Sequence, residues 1–149
     1  MNNPLKQYFR RPAIYLKLPS QGKFYPEGTI NFTDNGEIPI YPMTAIDEIT
    51  SKTPDALFNG TAMVDLIKSC APNIIDPWQM PITDMDPILI AIKIASLGND
   101  MEINSQCPKC SAENTYSVNL SGILSQMKPA NYDIDLELGE LKIKFKPLT

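Results

Sequence analysis

An α+β fold, with short strands and hairpins at both ends around a helical middle, is what this sequence predicts. Apolar residues alternate at period two near both ends and recur at helical spacing through the centre. A Cys-x-x-Cys turn, Cys107-Pro108-Lys109-Cys110, lies between two strand-like runs, as in a zinc-ribbon knuckle. The 14 prolines are spread along the whole chain and punctuate it, so each element should be short.

Ala13 to Leu18 reads as a strand with Ile14, Leu16 and Leu18 on one face, broken by Pro19-Ser20-Gln21-Gly22. Thr29 to Thr33 and Glu37 to Tyr41 flank Asp34-Asn35-Gly36, a hairpin signal because Asn-Gly tolerates positive φ. Thr44 with Asp47 resembles a capping box with Asp in place of Glu, opening a short helix to about Ser51. A second helix is predicted from Thr61 to about Cys70, with Met63, Val64, Ile67 and Cys70 at helical spacing and Pro72 as its stop.

Thr83 and Asp86 are expected to cap a third helix, with Pro87 in its first turn and Gly98 at its end. Its body, Ile88 to Leu97, is apolar on every side except at Lys93 and Ser96. Such a helix either runs through the core or is covered by a partner. Met101 to Gln106 and Asn114 to Asn119 read as the strands around the cysteine turn. Ser121 to Met127 reads as a short helix with Ile123, Leu124 and Met127 on one face. Tyr132 to Leu138 and Leu141 to Phe145 predict a last hairpin, apolar inside, with acidic and lysine rows facing each other outside.

The 149 residues, 43% hydrophobic and 20% charged, suit a single domain over residues 1–149. The chain stops at Lys146-Pro147-Leu148-Thr149, and a Thr after a strand reads as a helix N-cap, so truncation at the C-terminus is expected. A formal net charge of −4 and a pI near 4.8 argue against nucleic acid as a partner. The basic cluster Lys6, Arg10 and Arg11 reads as a solvated face rather than a phosphate site. No apolar run reaches the length of a membrane span, and Met1-Asn2-Asn3-Pro4 does not open a signal peptide. Three cysteines make no secreted disulfide framework, so a reducing, cytoplasmic setting is expected.

Few residues could carry chemistry. Without histidine there is no Ser-His-Asp or Cys-His machinery, and the 7 glycines stand singly rather than in a phosphate-binding loop. The acid pair Asp84/Asp86 is read as helix capping, and Asp133/Asp135 as the solvent face of a strand. Cys107 and Cys110 have three readings: a metal knuckle, a redox dithiol or two inert thiols in a tight turn. A closed zinc site needs four ligands, and Cys70 is the one other cysteine. Completion would come from Cys70 plus an oxygen, from another chain, from a missing part of this chain, or not at all. Cys70, on the apolar side of its helix, reads as a small hydrophobe rather than a ligand. Trp78, in the proline-bound loop Asp76 to Pro81, is either a lid folded onto the core, which its size favours, or an exposed binding anchor.

The linear order of several segments carries a resemblance. Lys17-Leu18-Pro19-Ser20-Gln21-Gly22-Lys23-Phe24-Tyr25, Pro42-Met43-Thr44, Lys52-Thr53-Pro54-Asp55-Ala56-Leu57-Phe58-Asn59-Gly60, Pro77-Trp78 and the Cys-Pro-Lys-Cys turn follow one another. Over nearly its whole length the chain resembles the baseplate hub assembly family of T-even-type contractile-tailed bacteriophages. Longer members of that family continue past the point where this chain ends. The resemblance implies a non-enzymatic protein that helps build the central hub of the tail baseplate through protein–protein contacts. It brings no catalytic residues. Its implied partners are other hub proteins, with a homo-oligomer open, in the host cytoplasm during assembly and in the virion tail baseplate.

Loops on rigid scaffolds commonly carry recognition, which singles out Thr53, Pro54, Asp55, Leu57 and Phe58 in one loop and Trp78 in another. Two alternatives stand beside this reading. One is a zinc-ribbon-type binding module holding zinc through Cys107 and Cys110; the other is a Cys-x-x-Cys thiol oxidoreductase.

Overall fold

Strands β1 (Ile14–Leu16) and β2 (Ile38–Ile40) pair antiparallel, with Ile14 opposite Ile40 and Leu16 opposite Ile38. The computed structural model describes residues 10–52, 60–129 and 131–149. Within them the architecture is α+β: three two-stranded antiparallel sheets and four α-helices.

The Asn-Gly signal marks a real turn, although the strands it joins are not the expected pair. The Gly36 N–H donates to the Thr33 carbonyl at 2.9 Å, and the Thr33 N–H to the Glu37 carbonyl at 3.0 Å. Gly36 holds φ at 71°, where a side chain would be strained. The run leading in makes only an isolated bridge, Ile30 to Ile74, while β2 turns to β1. Burial decides the pairing. Ile38, Pro39 and Ile40 are all buried, whereas Phe32 on the other arm is exposed and brings little to a core.

Helix α1 (Ala45–Ser51) opens with the expected capping box. The Asp47 N–H donates to the Thr44 hydroxyl at 3.3 Å, and the Thr44 N–H donates to the Asp47 carboxylate at 2.7 Å. Partial burial pushes the Asp47 carboxyl upward. Bonds from Thr44 and Ser69, with Arg10 nearby, outweigh that and hold it below the usual range. A carboxyl depressed by folding stabilises above its unfolded value and loses that contribution as pH falls through the folded value. Thr44→Ala should therefore cost about 1 kcal/mol in urea unfolding. It should also raise the Asp47 pKa in an NMR titration. Arg10 is drawn into this region, donating to Ser69 Oγ at 3.1 Å and to Cys70 Sγ at 3.3 Å. It is therefore not part of a solvated basic face; Lys6 lies outside the described residues.

Helix α2 (Thr61–Cys70) has the expected bounds. Its buried stripe is Ala62, Val64, Ile67 and Cys70, and Met63 is exposed instead of facing the core. The small Ala62 takes the inward position, letting the helix approach its neighbours. Ala71, preceding Pro72, leaves the helical region at φ −128° and ψ 66°.

Helix α3 (Ile82–Leu97) begins at Ile82, before the Thr83 expected to cap it. Pro81 is the N-cap without a side-chain bond, and Pro87 falls inside the helix. The reason is Asp84, which turns into the core and anchors the first turn there. Ile88, Ala91 and Ile92 form the buried stripe, so this is the core helix, yet Ile82 and Leu97 at its ends stay half exposed or more. Gly98 ends it at φ 92°, its N–H donating to the Ile94 carbonyl at 3.1 Å.

Strands β3 (Asp100–Gln106) and β4 (Glu113–Asn119) form a ladder in register from Asp100 opposite Asn119 to Gln106 opposite Glu113. From Glu102 to Ser117 nearly every residue is exposed, so this arm rests on backbone bonding more than on the core. Asn119 caps helix α4 (Leu120–Gln126), accepting the Gly122 N–H at 2.7 Å. Leu120 is its buried anchor, while Ile123 is exposed.

Strands β5 (Leu136–Leu138) and β6 (Leu141–Ile143) are shorter than predicted but pair as predicted. The facing rows meet, with Lys142 3.4 Å from Glu137 and Lys144 3.7 Å from Asp135. The apolar row expected inside, Ile134 to Phe145, is exposed.

The core gathers Leu16, Ile38, Ile40, Ile67, Ile88 and Ile92 from β1, β2, α2 and α3. Among the described residues, no helix is long and apolar enough to cross a membrane.

Candidate functional site

An apolar groove of about 270 Å³ runs between α2, the Asp76–Met80 segment and α3. Met63, Val64 and Ile67 come from α2, and Ile82 and Met85 from α3. Pro77 and Trp78 form its rim because Asp76 accepts the Trp78 N–H at 3.2 Å and Pro77 opens a 3₁₀ turn, Pro77–Gln79. Pro77 and Met80 fold down onto the core, while Trp78 keeps 55% of its surface exposed. The lid reading of Trp78 is thus corrected: its neighbours close the core, and the indole is left beside the groove. Leu148 and Thr149 lie against the same groove, with the Ile82 N–H donating to the Leu148 carbonyl at 2.8 Å. A groove of this kind has almost no polar groups to orient a reacting molecule. It can bury an apolar side chain from a partner.

A second cluster escaped the sequence reading. Asp84, fully buried, accepts the Ser20 N–H at 2.9 Å and the Tyr25 hydroxyl at 3.0 Å, and also accepts the Ser20 hydroxyl. Its carboxyl is therefore engaged by Ser20 and Tyr25 rather than capping α3. Burial pushes its carboxyl above the usual range despite these three bonds, and burial together with the Asp84 charge pushes Tyr25 well up. With Ser20 and Asp84 buried, the cluster ties the Pro19–Tyr25 loop to α3. One signal was available: Asp84 stands four residues before Ile88 and seven before Ala91, on the apolar stripe.

The cysteine turn lies at the tip of the β3–β4 arm. The Cys107 N–H donates to the Ala112 carbonyl at 2.9 Å, and the Ser111 N–H to the Cys107 carbonyl at 2.9 Å. Amide donors at Cys110 and Lys109, and then the Cys110 thiol, hold the Cys107 thiol below its usual range. Cys70 is buried in the core, where burial pushes its thiol up. Cys70 does not join the pair: among the described residues no group of three His, Cys, Asp or Glu is placed to hold a metal. Among the described residues the arm is a hairpin with one Cys-x-x-Cys turn, and that much of the zinc-ribbon expectation is present.

The predicted recognition residues therefore separate. Trp78 stands at the groove, while Thr53, Pro54, Asp55, Leu57 and Phe58 lie outside the described residues. The sequence profile of the family described as T4 bacteriophage base plate protein matches residues 12–149. The chain belongs to that family. Neither the curated proteins nor the solved structures supply a further match. As a phage baseplate structural protein it works in contact with other phage proteins. An exposed Trp beside an apolar groove is the kind of surface such contacts use.

Proposed function

We propose that this baseplate protein is a non-enzymatic component or assembly factor of the central hub, acting through protein–protein contacts at the Trp78 groove. One observation carries this reading: a half-exposed tryptophan beside an apolar groove, on a chain of the baseplate family. Buried aromatic anchors dominate interface energetics, and the apolar groove offers the partner pocket that such an anchor needs beside it. The partners are other hub proteins, met in the host cytoplasm while the tail is assembled.

Co-expression of the tagged chain with the remaining baseplate proteins of its phage tests the proposal. A hub component should co-purify with the chain in a defined ratio. Co-purification with peripheral baseplate components alone would sink the hub assignment.

A further inference from the structure

The Cys107–Cys110 turn has the construction of one half of a tetrahedral metal site. Ser111 takes a left-handed φ of 57°, doubling the chain back so that its N–H returns to the Cys107 carbonyl. The Cys107 N–H in turn donates to the Ala112 carbonyl, so both cysteines are fixed in one closed turn. The turn thereby brings the two cysteines close together on one side of the tip. The pair sits at the tip of an arm that is exposed along most of its length, within reach of another molecule.

Two more ligands are needed, and this chain is a poor source of them. It has no histidine, and its third cysteine is buried in the core and bonded by Arg10. Among the described residues no acidic side chain completes a group with the pair.

We propose that two copies of this chain bind one soft divalent cation of the zinc class tip to tip, each contributing Cys107 and Cys110. A two-fold axis through the ion makes the second pair complete a four-sulfur tetrahedron, and such an isologous contact closes on itself. Four thiolates on a divalent cation leave two negative charges, matched by the two Lys109 side chains, one from each copy. Each thiol releases its proton on binding, so loading one ion liberates about four protons. This inference is independent of the hub reading, because its test uses this chain alone.

The reduced full-length chain is titrated with cobalt(II), then zinc(II), and followed by native mass spectrometry and absorption. One ion per two chains is expected, with a dimer that returns to monomer on chelation and a cobalt–thiolate charge-transfer band. Cys110→Ser, at an exposed tip, should lose both ion and dimer while its circular dichroism stays that of the parent. One ion on a single copy, or a chain that binds none, overturns the proposal.

Discussion

Replacing Asp84 by alanine should lower the unfolding free energy by about 3 kcal/mol in urea titrations. The carboxylate accepts from the Ser20 amide, the Ser20 hydroxyl and the Tyr25 hydroxyl, and alanine would leave all three without it. Ser20 is itself buried, so its donors cannot turn to water, and each orphaned buried group costs about 1–3 kcal/mol. Part of that loss is offset, because burial of the carboxylate is itself unfavourable. The same loop carries Lys23 and Phe24, which meet Asp133 and the ring of Tyr132. Its release should loosen the C-terminal segment as well.

The effect also has a direction in pH. Burial raises the Asp84 carboxyl in the folded state, so folding takes up a proton there. Such a group stabilises fully below the unfolded value of about 3.9 and loses that contribution as pH rises through the folded value. The deficit of Asp84→Ala relative to the parent should therefore be larger at pH 4 than at pH 8. Asp47 has the opposite sign but is present in both proteins, so it cancels in the difference. A deficit below about 1 kcal/mol would mean that desolvation consumes what the three bonds return.

Trp78→Ala should weaken capture of a baseplate partner by roughly 30- to 100-fold, while the unfolding midpoint moves little. The two effects separate because the side chain is 55% exposed: it closes little of the core but borders the groove. Truncation removes the aromatic anchor and leaves the groove walls, so the loss would come mainly through faster dissociation. Ile46→Ala serves as the control, since Ile46 is exposed on α1 and away from the groove lining. Equal affinity for parent and Trp78→Ala would remove the groove from the interface. Equal losses in both variants would point to general surface stickiness instead.

Most of the local structure was legible in the order of the residues. Thr44 and Asp47 marked the start of α1, Gly98 marked the end of α3, and the cysteine turn marked the β3–β4 arm. These features depend on neighbours within a few residues: a cap needs its own amide, and a turn needs a residue that takes positive φ. The apolar pattern also named β1 and α2, because one stripe per element is enough to say which face seeks a core. Tertiary structure alone decided which stripes found one. It gave β2 to β1 rather than to the 29–33 run, and it drew Asp84 inward to Ser20 and Tyr25. It also left Trp78 and the Leu136–Ile143 pair exposed. Spacing shows that a face is apolar. What covers it depends on how far other elements can reach, and that is set by packing across the whole chain.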